Sequence, residues 1–170
     1  MRVICTPLNG LGGSAAAHSL LEFVFLSEHG GSLPEIKKTP NGKPYFPDRP
    51  DVHFSLSHSK THVLCALASG PVGVDIESPR CISEAAIRYF SSPEEHSLFD
   101  PLDLWVLKES YIKLIGGYLA LVRKIRFSCG VDGIITPDAA SVSKLYSVEG
   151  CHAAVSSYSD GLPDFIELVC

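Results

Sequence analysis

Two carboxylates interrupt a run that otherwise reads as a buried strand: VGVDIE, at 72–77, carries Asp75 and Glu77. Side chains alternate across a strand, so Val74 and Ile76 share one face while Asp75 and Glu77 share the other. That second face must be wetted, charge-paired or metal-bound. Two hard oxygen ligands that leave room for water and phosphate suit Mg²⁺, and a solvated outer face is the plainer alternative. A second set of chemistry-bearing residues lies on LDLWVLKESYIKLIGGYL, the longest helical pattern. At about 100° per residue, Leu104, Leu107, Tyr111, Leu114, Ile115 and Tyr118 form its core stripe. Trp105, Glu109 and Lys113 fall on a separate sector, with Ile112 between them and Lys108 at its border with the core stripe. Glu109 and Lys113, one turn apart, read either as a surface ion pair or, with Trp105 as a wall, as part of a pocket. A third carboxylate and one or two ammonium groups facing the strand pair would make a magnesium and polyphosphate site. SLSHS adds Ser57 and His58 at the end of a strand, and NGKP adds Lys43 in a proline-stiffened loop. A hydroxyl and an imidazole can donate to phosphate. Adjacent strand residues point to opposite faces, which argues against a Ser/His nucleophile pair.

These residues need elements to hold them. Residues 2–6 predict a short strand, and Ser14 is placed to cap a helix running to about Ser27. TPNGKPYFPDRPD is a fixed irregular loop. VHFSLSHS, HVLCALAS and VGVDIE predict strands of one antiparallel sheet. Short helices are expected over 82–90 and 93–99, the second opened by Ser92 as cap, Pro93 in the first turn and Glu95 three residues after the cap. KIRFSCG, KLYSVEGCHAAVSSYS and DFIELV return to strand character. HAAVSSYS echoes HVLCALAS, which suggests two similar α+β halves.

Composition narrows the classes of partner. The chain has 170 residues, enough for one domain with a sizeable core, and a net charge of −5 without a long Lys/Arg run. Nucleic-acid binding is therefore not expected. Six cysteines show no metal-ligand spacing, which predicts reduced thiols and a cytoplasmic setting. The first apolar run is cut by Pro7 and glycines and the second contains Glu22, so no secretory or membrane segment is read there.

In NGKPYFP, HFSLSHS, VGVDIE, RYFSSPEE and LWVLKESYIKL the chain resembles the 4′-phosphopantetheinyl transferase superfamily, in its longer, monomeric, surfactin-synthetase-activating branch, over about residues 36 to 118. The family signature, a Gly-x-Asp-x-Glu strand followed by a Trp-x-x-Lys-Glu-x-x-x-Lys helix, is matched by Gly73, Asp75, Glu77, Trp105, Lys108, Glu109 and Lys113. The resemblance implies a single domain over 1–170 of class α+β, built as pseudo-twofold halves near 1–78 and 79–170. Each half would pack an antiparallel sheet with a long helix, and the active site would lie in the cleft between them. It further implies Mg²⁺-dependent transfer of the phosphopantetheine arm of coenzyme A to a serine of an apo acyl or peptidyl carrier protein, releasing 3′,5′-ADP. Mn²⁺ accepts the same oxygen ligands and is the other possible ion. By the same resemblance Asp75, Glu77 and Glu109 hold the metal, Glu109 takes the serine proton and Lys113 contacts the pyrophosphate. Lys43, Ser57 and His58 bind the adenine and 3′-phosphate end, and Trp105 and Lys108 shape the pocket. The alternative is a noncatalytic coenzyme A or carrier-protein binding module of the same fold. The chain departs from the family pattern in having Arg2 as the one basic residue before Lys37, with His18 nearby, and in being shorter than usual for this branch. An acidic residue expected after FS is Glu94 by spacing or Glu95 by cap geometry.

Overall fold

The computed structural model describes residues 1–10, 12–130, 133–158 and 161–169. Its elements are β1 (Arg2–Pro7), α1 (Gly13–His29), β2 (Lys37–Lys38), β3 (Pro44–Tyr45), β4 (His53–His58), β5 (His62–Ala68) and β6 (Val72–Glu77). They continue with α2 (Glu84–Phe90), α3 (Pro93–Leu98), α4 (Pro101–Ile115), a 3₁₀ turn (Leu119–Arg123), β7 (Ser128–Gly130), β8 (Gly133–Ile135), β9 (Val142–Val148), β10 (Cys151–Ser157) and β11 (Glu167–Leu168). The class is mixed α+β.

Alternation along the strands explains how the layers stack. In β5, Val63, Cys65 and Leu67 pack with Leu20, Leu21, Val24 and Phe25 of α1, while Leu64 and Ala66 face the other way. Those two meet Val72, Val74 and Ile76 of β6 and Ala153 and Val155 of β10. A third cluster joins Leu104, Leu107, Tyr111 and Leu114 of α4 to Ala154 of β10. The order of layers is thus α1, a sheet β11-β1-β5-β4, a sheet β6-β10-β9, and α4. Each fully buried Val, Leu or Ile stabilises by about 1.5–3 kcal/mol.

Several expectations are corrected. β6 does not extend the β4–β5 sheet but pairs antiparallel with β10, Asp75 opposite Ala154 and Glu77 opposite His152. Both faces of β6 are covered, one by the first sheet and one by α4, and Gly73 is what lets α4 approach. A Cβ there would collide with the backbone of Ser110 and Leu114. β11 adds a short parallel pairing to β1. Helix α1 begins one residue before Ser14, with Gly12 as cap and no side-chain cap hydrogen bond, and at 17 residues it is longer than the 15-residue α4. Helix α4 stops at Gly116, whose left-handed φ of 63° closes it. The end of the expected core stripe therefore leaves the core, with Ile115 38% and Tyr118 57% exposed. The α3 start is as read: Ser92 accepts from Glu95 N–H, and Glu95 returns the bond to Ser92 N–H. Cys5, Cys65, Cys81, Cys129 and Cys151 are free thiols, and Cys170 lies outside the described residues.

Candidate active site

Strands β4 and β6 lie side by side at the seam between the sheets, joined through serine side chains. Val74 N–H donates to Ser55 Oγ at 3.0 Å, and Ile76 N–H donates to Ser57 Oγ at 3.4 Å. The Ser57 hydroxyl in turn donates to Asp75 Oδ1 at 2.7 Å, and Lys113 Nζ donates to the same oxygen at 2.7 Å. Asp75 is 6% exposed. Its Oδ2 has no hydrogen-bond partner among the described residues. Since every fully buried side-chain oxygen and nitrogen there does have one, Oδ2 must keep access to solvent. Glu77, half-buried one strand repeat further on, is held by Arg80 through bonds of 3.2 and 3.3 Å.

Glu109 differs from both. It sits on α4 one turn before Lys113, is partly buried, and among the described residues has neither hydrogen bond nor ion pair. Lys113 has turned to Asp75 and does not form the i,i+4 pair with Glu109. Burial first, then the charge of Asp75, pushes the Glu109 carboxyl up to about 7; Lys113 opposes the shift and Glu77 adds to it. Asp75 and Glu77 thus act on Glu109 across the β6–α4 interface.

A cavity of about 370 Å³ opens beside them, lined by Lys43, Ser55 and Leu56 from the N-terminal part and by Glu109, Lys113 and Tyr118 from the C-terminal part. Lys43 closes one side. Its ammonium donates to the carbonyls of Leu114, at 2.9 Å, and Val72, at 3.3 Å, and burial pushes it down to about 8. The Leu114 carbonyl belongs to the last turn of α4, where backbone acceptors lack helical partners. His58 stands exposed at the end of β4 with its ring against the start of α1; a Cβ on Gly13 would lie 2.6 Å from it.

Two predicted residues stand apart. Lys108 is fully buried, and its ammonium donates to Glu95 Oε2 and the Ile125 carbonyl, both at 2.9 Å, to the Val122 carbonyl at 3.4 Å and to the carbonyl of Phe90. Glu95 also accepts from Phe127 N–H at 2.9 Å, so it is the capping-box residue of α3 and a partner of Lys108, while Glu94 is exposed. Trp105 stacks edge-on against Phe90 and walls a separate cavity of about 300 Å³ with Arg80, Tyr89 and Leu119. Three features escaped the sequence reading: the Ser55 bridge, the Arg80 grip on Glu77, and a hydrogen bond of 2.7 Å between His152 Nδ1 and Asp103 Oδ1. Ser55 could have been found, since it alternates with Ser57 on one strand face. Arg80 follows Glu77 at a spacing of three, as in many surface pairs, and the Asp103–His152 contact joins residues with no local signal.

The donor set fits a hard divalent cation on its chemistry. Asp75 has an oxygen open, Glu109 is a carboxyl without a partner among the described residues, raised by burial and then by Asp75, and Glu77 is oxygen-donating too. With Asp75 drawn to Lys113 and Glu77 to Arg80, these carboxylates are engaged by the chain's own cations. Among the described residues, the group of ligand atoms lying within 4.8 Å of one another is Asp100, Asp103 and His152.

No family model matches the chain. Curated relatives do. The 4′-phosphopantetheinyl transferase Sfp of Bacillus subtilis (strain 168) is 38% identical over 145 residues, 75% of this chain and 65% of that protein. The 4′-phosphopantetheinyl transferase psf-1 of Bacillus pumilus is 41% identical over 86 residues, 45% of this chain and 37% of the relative. The 4′-phosphopantetheinyl transferase gsp of Aneurinibacillus migulanus is 38% identical over 94 residues, 48% of this chain and 38% of the relative. The chain thus spans just under two thirds of the first of these and less than half of the others. Taken with the strand and helix motifs that meet at the β6–α4 interface, these identities make the chain similar to 4′-phosphopantetheinyl transferases of the surfactin-activating type.

Proposed function

We propose that the chain transfers the 4′-phosphopantetheine arm of coenzyme A to a serine hydroxyl of an apo acyl or peptidyl carrier protein and releases 3′,5′-ADP. The observation that carries this reading is Glu109: a partly buried, unpartnered carboxyl pushed up to about 7, on the wall of a cavity it shares with Lys113 and Lys43. A carboxyl on the cavity wall with no partner of its own among the described residues is open to take a proton from an incoming hydroxyl, as a general base does. Glu109 takes the proton as the serine oxygen bonds to the phosphorus that carries the pantetheine arm. The bond from that phosphorus to the bridging oxygen of the pyrophosphate breaks, and the electron pair leaves with 3′,5′-ADP. Lys113, free to exchange its partner Asp75 for the substrate, meets the charge that grows on the phosphate oxygens. Asp75, Glu77 and Glu109 would hold Mg²⁺, or Mn²⁺ in its place. The ion, when bound, neutralises the pyrophosphate and the developing charge.

Lys43 and His58 lie toward the adenine and 3′-phosphate end of coenzyme A. The first turn of α1, beside the His58 ring, carries no acidic side chain and so tolerates an anion. The wider proposal is a cytoplasmic monomer whose α1 sheet and α4 sheet are pseudo-twofold halves. Among the described residues no helix is long and apolar enough to cross a membrane.

The test is the intact mass of an apo carrier protein after incubation with this chain, coenzyme A and Mg²⁺, beside a Glu109→Gln control. A gain of one phosphopantetheine arm that disappears in the control is the expected result. No gain with several carriers, while coenzyme A still binds, would overturn the transferase in favour of a binding module.

A further inference from the structure

Ser57 was expected on the substrate side, yet its hydroxyl is spent inside the protein. It is 8% exposed, donates to Asp75 Oδ1 at 2.7 Å and accepts from Ile76 N–H. A hydroxyl has one proton to donate, and that proton is committed to the carboxylate. Among the described residues the partners of Asp75 are Ser57 and Lys113, and both take Oδ1, which leaves Oδ2 without a partner there and in touch with solvent. The two partners are unequal. The Lys113 side chain is 29% exposed and ends a long flexible stem, whereas Ser57 is anchored on a strand that Phe54 ties into the α1 core.

We propose that Ser57 is a positioning residue that fixes the rotation of the Asp75 carboxylate and presents Oδ2 to a divalent cation. This rests on the transferase reading for the identity of the site, but its content concerns the Ser57–Asp75 pair alone. When Lys113 leaves Asp75 for an anionic substrate, the Ser57 bond remains and keeps the carboxylate from turning. The Ser57 hydroxyl also accepts the Ile76 N–H, so the same side chain couples the seam between β4 and β6 to the aim of Asp75. Ser55 is the built-in contrast: it bridges to Val74 N–H in the same way but touches no carboxylate. Removing a group that orients a ligand typically lowers metal affinity 10–100-fold.

The experiment is titration of the full chain with Mn²⁺ in the absence of coenzyme A, free Mn²⁺ being read by electron paramagnetic resonance. Coenzyme A affinity is measured separately in metal-free buffer. Ser57→Ala is expected to weaken Mn²⁺ binding about tenfold or more and leave metal-free coenzyme A affinity unchanged. Ser57→Thr restores most of the loss, and Ser55→Ala leaves Mn²⁺ affinity as in the wild type. Should Ser57→Ala not fold, Ser57→Cys, with its weaker donor, reads the same quantity. Wild-type Mn²⁺ affinity in Ser57→Ala together with lost coenzyme A affinity would overturn the proposal, because the hydroxyl would then be a substrate contact. Equal Mn²⁺ binding by the wild type and Asp75→Asn would also overturn it. If no carrier protein gains mass while Ser57→Ala still loses Mn²⁺, the transfer reading fails and the role of Ser57 stands.

Discussion

Helix α4 carries two lysines five residues apart, Lys108 and Lys113, and they live in opposite environments. At 3.6 residues per turn they point about 140° apart. Lys108 has a side chain 0% exposed and four acceptors drawn from Glu95, Phe90, Val122 and Ile125, so its ammonium is satisfied several times over. Lys113 is 29% exposed and, among the described residues, holds one acceptor, Asp75. Their acidic neighbours repeat the contrast. Glu95 is 1% exposed and accepts from two backbone amides and Lys108, whereas Glu109 accepts from nothing among the described residues and is raised to about 7. A buried ion pair whose ammonium and both carboxylate oxygens are hydrogen-bonded is a fastener, costly to break. A half-open pair with unused valence can exchange its partner for a ligand. The number of remaining partners, rather than the residue type, separates structure from chemistry here.

The largest expected effect tests the open pair. Glu109→Gln should slow transfer to a carrier by about 10²–10⁴-fold while the melting temperature at neutral pH holds or rises, since an unpartnered carboxylate is removed. A matching fall in stability would put Glu109 with the fasteners. Next comes the sealed pair: Lys108→Met removes the buried partner of Glu95, leaving it the more distant, half-exposed Arg126 at 3.8 Å, and should destabilise by about 3–5 kcal/mol, measured by urea unfolding. Full stability in that variant would erase the contrast between the two lysines.

The pH dependence of the metal-free protein sharpens the comparison further. With its folded pKa raised from 4.5 to about 7, Glu109 keeps a proton in the folded chain that the unfolded chain gives up. The folded state therefore binds more protons between these values, and this group's contribution to stability falls as pH rises from about 4.5 to about 7. Thermal melts across that range should show the decline, and Glu109→Gln should flatten it; an unchanged slope in the variant would assign the decline to other groups. The smallest effect concerns the rim. Arg123, Lys124 and Arg126 are exposed beside α2 and α3, with Arg123 5.0 Å from the Tyr89 ring and Arg126 3.8 Å from Glu95. Reversing all three charges should raise the carrier KM several-fold in low salt with little change in kcat. An unchanged KM would exclude this patch from carrier docking.

Much of the site was legible because its signals are local. Strand alternation put Asp75 and Glu77 on one face, helical periodicity put Glu109 and Lys113 together, and Ser92 with Glu95 spelled a capping box. Periodicity failed at its edges. The helical pattern was carried past Gly116, where the backbone turns left-handed, so Ile115 and Tyr118 were assigned to a core they leave. Lys108 shows the deeper limit, since nothing on α4 itself distinguishes a lysine bound for solvent from one that meets three carbonyls and a carboxylate from four other segments.

The sequence by itself determined which residues carry charge and which face of its own element each one occupies, because those follow from spacing and from the geometry of strand and helix. Only the tertiary structure decided what lies opposite. β6 left the β4–β5 sheet for β10, Gly73 admitted α4, Ser57 turned inward to Asp75, and Glu109 was left without a partner among the described residues. Burial and pairing depend on contacts between segments far apart in the chain, and these set the charge state and the availability of each group.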